Sequence, residues 1–209
     1  MIGTEDPLPM FGFFKINFII YLFCMIWLLL ILIVPAMSEP GTIQFQEFDE
    51  FENPIGKVGF SEYYNDIEKI NNPLSRAVYH SGDRMCHMKS SRSFSINDNQ
   101  MPYCARCFGI FLGFAIGAGF ATFIVIDLNL WLLIVGLVPI GLDGGLQLVT
   151  SYESNNFFRV ITGSLAGFVT VMAVGLITLE ISKSVKYWLM KRQWSKQYPE
   201  KYSKKFKNI

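Results

Sequence analysis

The sequence predicts an all-α integral membrane protein with four transmembrane helices and one long loop that carries short amphipathic helices. Three observations lead there. Of 209 residues, 51% are hydrophobic, nineteen are phenylalanine, and the mean hydropathy is +0.32, above the level of ordinary soluble domains. Four long apolar runs contain few charges, and the last three are joined by short polar segments. Such runs would leave a soluble bundle without a polar face.

Residues 1–16 contain prolines, glycine and a small phenylalanine group, and read as an interfacial lead-in. Residues 17–37 then carry no charge, and a helix of that length at about 1.5 Å per residue crosses a hydrocarbon layer of about 30 Å. A cleaved signal peptide is the competing reading, because Pro35, Ala36, Met37 and Ser38 resemble a cleavage region. The run is longer than a signal-peptide core and only Lys15 precedes it closely, so a retained anchor is expected. Residues 38–83 form a loop in which Phe45, Phe48 and Phe51 recur every three positions, as on a short surface helix or a packed lid. A second short amphipathic helix is expected over 61–74, begun by Ser61 and stopped by Asn71, Asn72 and Pro73.

The remaining spans are 108–126, 130–149 and 157–181, joined by a tight turn at 127–129 and a polar loop at 150–156. Connections this short make the three helices antiparallel neighbours. Gly109, Gly113 and Gly117, with Gly163 and Gly167 on the last span, form small-residue faces for close helix contact. Nine of the eighteen Lys and Arg residues lie from Lys183 onward, against one acid, Glu200. The positive-inside rule therefore puts both termini in the cytoplasm of a cell-membrane protein. With Tyr187, Trp188, Trp194 and Tyr198 interleaved, this tail reads as an interfacial helix on anionic lipid, and nucleic acid is not an expected partner. A homo-oligomer or a larger membrane complex is compatible with the sequence. The chain divides into a lead-in and first span (1–37), an extracytoplasmic loop (38–83), a cysteine-rich three-helix module (84–182) and a basic tail (183–209).

The chemistry concentrates just before the second span. Cys86 and His87 precede a Cys-x-x-Cys pair, Cys104 and Cys107, and three thiolates with an imidazole can hold zinc. His80 is an alternative fourth ligand, and adjacent residues seldom both point at one ion. The same cysteines could exchange disulfides, with Cys107 activated at a helix start, although a fourth partner is missing on that side. They could also form a non-catalytic zinc or disulfide clip in a scaffold subunit. Asp143 and Gln147 are four residues apart on the third span, followed by Glu153, Asn155 and Arg159. Ionisable groups within membrane segments are costly, so Asp143 and Arg159 should face inward and be neutralised, with Arg106 a further partner for Asp143. Asp143, Glu153 and Arg159 are the candidate catalytic residues, and Arg92, Arg106, Gln147 and Asn155 the candidate pocket lining. An ion pair that only fixes helix register is the simpler alternative. On the inferred topology both polar sets meet at the outer face, which points to metal-assisted hydrolysis or transfer on a lipid or envelope substrate.

The run Cys86-His87, Arg92-Ser93-Phe94, Gln100-Met101-Pro102, Cys104-Ala105-Arg106-Cys107 and Gly109-Ile110, continued by Asp143-Gly144, Gln147, Glu153-Ser154-Asn155, Arg159 and Thr162-Gly163, resembles the membrane proteins of archaea and bacteria grouped as domain of unknown function 2085. The likeness covers roughly residues 84–168 and implies a multi-pass membrane protein without assigning it an activity.

Overall fold

A computed structural model describes residues 8–45, 63–124 and 130–197. The order is α1 (Leu8–Met37), α2 (Tyr64–Glu68), α3 (Pro73–Met85), a single 3-10 turn (Ser90–Arg92), β1 (Ser93–Ile96), β2 (Asn99–Cys104), α4 (Ala105–Phe123), α5 (Leu130–Val149) and α6 (Asn156–Gln197). Four of these helices, α1, α4, α5 and α6, are long and apolar enough to cross a membrane, and the two strands are the only regular elements other than helix among the described residues. Apolar side chains such as Phe23, Val135 and Phe157 project outward, the arrangement a lipid solvent favours. The 127–129 turn and the Phe48 and Phe51 positions lie outside the described residues.

Across the bundle the helices run in the order α1, α4, α6, α5. This differs from the expected sequential packing, because α5 lies along α6 and not along α4. Short connections favour neighbouring helices, but the glycine faces of α4 and α6 match each other more closely than either matches α5. A Cβ on Gly113 would stand 2.2 Å from the Ser164 carbonyl oxygen, and one on Gly167 would stand 2.2 Å from that of Ile110. Only glycine lets the two backbones approach so closely. These contacts also make α4 and α6 parallel. On the other side Asn17, buried on α1, donates from Nδ2 to the Ala121 carbonyl at 3.0 Å, closing one of the acceptors left open at the end of α4. Trp27 meets Phe111 edge-on near the opposite ends of these helices, so α1 runs antiparallel to α4.

A compact cap covers the end of the bundle where α4 begins. The expected helix over 61–74 is shorter, with α2 occupying Tyr64–Glu68, and Asn71, Asn72 and Pro73 start a helix where a stop was expected. Asn72 caps α3, its Oδ1 accepting from the Leu74 and Ser75 amides at 2.9 and 3.4 Å, and Pro73 takes the first helical position. Ser75, Val78, Tyr79 and Gly82 form the buried stripe of α3. Gly82 lies flat on β2, where a Cβ would be 1.9 Å from the Pro102 carbonyl oxygen.

Strands β1 and β2 form a hairpin with a register irregularity between Ser93 and Ser95. Asn97 and Asp98 make its two-residue turn, both at positive φ (54° and 56°), the backbone that the right-handed twist of a tight hairpin requires. Asn99 ties the hairpin to the end of α1, donating from Nδ2 to the carbonyls of Pro35, Ser38 and Glu39, while its Oδ1 accepts from the Ile43 amide at 2.9 Å. Tyr79 donates its hydroxyl to the Gln100 carbonyl at 2.5 Å. Ile31, Val34, Ile43, Phe45, Ile67, Tyr79, Met101 and Tyr103 fill the interior between the cap and α1.

The last helix continues unbroken from Asn156 to Gln197. The basic segment as far as Gln197 therefore continues the helix of the last span. At about 1.5 Å per residue, α6 is roughly 60 Å long.

Candidate functional site

Three elements deliver the three cysteines to one place. Cys86 ends α3, with its amide donating to the Gly82 carbonyl at 2.7 Å; Cys104 ends β2 and caps α4; Cys107 lies one turn further along α4. Their sulfur atoms all lie within 4.8 Å of one another, and Cys86 Sγ accepts from the Cys104 amide at 3.3 Å. None of the four cysteines is in a disulfide, and Cys24 stands apart on α1.

The backbone after Cys86 is held in an unusual conformation. Met88 adopts φ +45°, a left-handed geometry that costs a residue with a side chain about 1–2 kcal/mol. Complete burial of its side chain and a hydrogen bond from Gln100 Nε2 to its carbonyl keep it there. Cys86 itself is extended (φ −143°, ψ 147°), so its side chain and that of His87 point to opposite sides: Cys86 is buried and His87 is exposed. His87 does not join the three sulfurs, and neither does His80, which pairs with Glu68 at 2.9 Å. Among the described residues the ligand group is three thiols without an imidazole.

The hydrogen bonds that Cys104 shares with Cys107 and Cys86 hold its thiol far below the ordinary thiol range. The same interaction with Cys104 pushes the Cys86 thiol up to about 11. One thiolate is thus supported by neighbouring thiols, an arrangement that can take up a metal with release of protons or attack a disulfide.

Arg106 lies between the paired cysteines and links them to the second polar set. Its side chain spans the gap from α4 to α5, where Nη2 donates to Asp143 Oδ2 and, at 3.1 Å, to Gln147 Oε1. Asp143 is buried. Arg159, on the first turn of α6, is 3% exposed and donates from Nη1 to Asn156 Oδ1 at 2.9 Å. Glu153 stands at the mouth of this group, 3.3 Å from Arg92 and 3.6 Å from Arg159.

The structure therefore brings Arg92, Arg106, Asp143, Gln147, Glu153 and Arg159 together beside the thiols at one end of the bundle. Asn155 is placed differently: its Oδ1 accepts from the Phe158 amide at 2.9 Å, capping α6, and its side chain is exposed. Asn156 is the residue that sequence reasoning missed. Its spacing of three from Arg159 on one helix was the available signal.

Comparison with known proteins agrees with this architecture. Residues 86–173 match the family model described as predicted membrane protein (DUF2085). An uncharacterized protein of Methanocaldococcus jannaschii is 39% identical over 113 residues, covering 52% of this chain and 72% of the relative. An uncharacterized protein of Methanothermobacter thermautotrophicus is 36% identical over 86 residues, covering 40% of this chain and 78% of the relative. No solved structure matches. The helices, the cysteine group and the extent of these matches agree, and the chain belongs to the DUF2085 family of membrane proteins.

Proposed function

We propose that this membrane protein carries an outward-facing zinc centre on Cys86, Cys104 and Cys107, and that the adjacent polar pocket presents a lipid or envelope substrate for metal-assisted hydrolysis or transfer. The observation that carries this reading is the three-sulfur group. Zinc–thiolate bonds of about 2.3 Å in a tetrahedron place sulfurs about 3.8 Å apart, a modest closure of the group observed here. With His87 outside the group, three protein donors leave a fourth position open, the pattern of catalytic rather than structural zinc sites. Zinc bound there would supply Lewis acidity toward a carbonyl or phosphoryl oxygen.

The chain's own residues have separable tasks in this reading. Arg106 and Arg159 bind the anionic part of the substrate, and Asp143 orients Arg106. Glu153 is the exposed carboxylate placed to accept a proton, since Asp143 is committed to its ion pair. Placement of both termini in the cytoplasm, and of the basic extension of α6 against anionic lipid, belongs to the same proposal.

Metal analysis of the purified protein, combined with thiol counting, tests the centre. The expected result is about one zinc ion per chain, lost in Cys104→Ser. A metal-free protein with a Cys104–Cys107 disulfide would replace this reading with thiol exchange. Because the thiols come from α3, β2 and α4, a metal would also clamp the cap to the bundle. Zinc whose loss unfolds the cap, in a protein whose activity tolerates replacement of the thiols, would make the centre a structural clip.

A further inference from the structure

Four of the five buried polar atoms that lack partners share one character. Among the described residues, Arg106 Nε, Gln147 Nε2, Arg159 Nε and Arg159 Nη2 are buried without a hydrogen bond, and all four are donors; the fifth is the Ser164 hydroxyl, further along α6. An unsatisfied buried donor costs about 1–3 kcal/mol, and one on a guanidinium costs more. Four such atoms on the facing helices α4, α5 and α6 call for an acceptor-rich ligand.

The charge balance points the same way. Arg92, Arg106 and Asp143 and Glu153 all act electrostatically on the Arg159 guanidinium. Three guanidinium groups against two carboxylates leave one positive charge in excess. Glu153 does not satisfy Arg159, because its carboxylate stays 3.6 Å from Nη2 and is itself mostly exposed. Arg159 is held in place by Asn156 with its remaining N–H groups uncommitted. It is a preorganised guanidinium aimed into the group and shielded from solvent.

The depth of the site narrows the ligand further. The group sits where α4 and α6 begin and α5 ends, at the boundary of three membrane-length helices. Phosphate oxygens of lipids occupy that level, and planar guanidinium groups pair well with phosphate through parallel N–H donors.

We infer that Arg159, Gln147 and Arg106 form a phosphate-binding subsite that takes a phosphate ester. This deepens the reading above by naming the substrate class, and it rests on that reading only for treating the pocket as a substrate site.

The test uses the full chain purified in a maltoside, whose head group contains no phosphate. It is titrated in parallel with inorganic phosphate, with dioctanoyl phosphatidylglycerol and with dioctanoylglycerol, and binding is read from the thermal unfolding temperature and the phosphorus NMR linewidth. The phosphate-bearing probes should bind and dioctanoylglycerol should not. Binding of the lipid without inorganic phosphate identifies a head group as the ligand, whereas binding of both identifies the free anion or its ester.

Arg159→Gln should weaken binding about tenfold or more. Gln147→Glu keeps an oxygen for Arg106 but replaces the unpaired donor with an acceptor and adds a negative charge. It should fold, with binding weakened at least as much. Failure of the wild type to bind either phosphate probe, or unchanged binding by Gln147→Glu, would overturn the subsite. Zinc content measured on the same samples keeps the two readings apart: a zinc-free protein that still binds phosphate rejects the metal centre alone, and a zinc-loaded protein blind to phosphate rejects the subsite alone.

Discussion

Breaking the Arg106–Asp143 pair should destabilise the bundle through an unpaired charge, and the cost should be largely recovered when both charges are removed. The Asp143 side chain is 7% exposed and that of Arg106 25%, so water screens the pair weakly. Opposite charges about 4 Å apart attract by about 4 kcal/mol at an effective dielectric of 20. Removing one partner of a buried pair typically costs about 3–5 kcal/mol. Asp143→Asn retains an oxygen for Arg106, which places it near 3 kcal/mol on that scale, and Arg106→Gln should cost about the same. The double variant should then be less destabilised than the sum by about 2 kcal/mol. Reversible unfolding in mixed micelles measures all four corners of the cycle. A double variant additive to within about 0.5 kcal/mol would refute the argument, because it would mean the two side chains do not sense each other.

Two further outcomes follow from the packing and the cap. Gly113→Ala and Gly167→Ala should each destabilise the bundle by about 1–3 kcal/mol, since both Cβ atoms would meet backbone oxygens at 2.2 Å. Gly119→Ala is the control, because its Cβ would meet only the Tyr21 ring at 3.3 Å, and thermal unfolding of the three variants should separate them. On the cap, the hydrogen bond from His80 and the neighbouring Arg76 hold Glu68 below the usual carboxylate range. Its folded state thus favours the ionised form, so the stabilisation is present above the ordinary value of 4.5 and fades as the pH falls through the lowered one. Glu68→Gln should therefore lower the stability of the neutral region and leave the most acidic region little changed, which flattens the acid limb of a stability–pH curve.

The membrane helices were legible because hydropathy over 20 residues reports directly on the solvent a helix prefers. Asp143 and Arg106 were legible for a related reason: a charge in a membrane helix needs a partner, and few were on offer. Helix α3 was missed because Asn72 and Pro73 resemble a terminator as much as a start, and Asn capping with Pro at the first position distinguishes the two only when the following stripe is read with it. The hairpin was hidden by its Asn97–Asp98 turn, which lacks the glycine that usually marks such turns. The order of the helices depended on which faces fit, a property of paired surfaces that short loops do not encode. His87 was grouped with its neighbour Cys86, but the backbone at Cys86 is extended and turns adjacent side chains to opposite sides, and the left-handed backbone at Met88 that follows has no signature in a residue type that seldom adopts it.

The two polar groups also differ in when they can exist during synthesis. The cap, its tie to α1 and all three thiols are encoded by Cys107, whereas the arginine group needs α5 and the first turn of α6. Arg159 emerges 52 residues after Cys107, a delay of about 3–10 s at ordinary translation rates. During that interval the nascent chain can already present a complete thiol trio while α4 lacks its partner helix. Whatever the thiols acquire, an ion or an oxidant, they can acquire before the neighbouring pocket closes. The order of the chain thereby makes the three thiols available before the charged group can be completed.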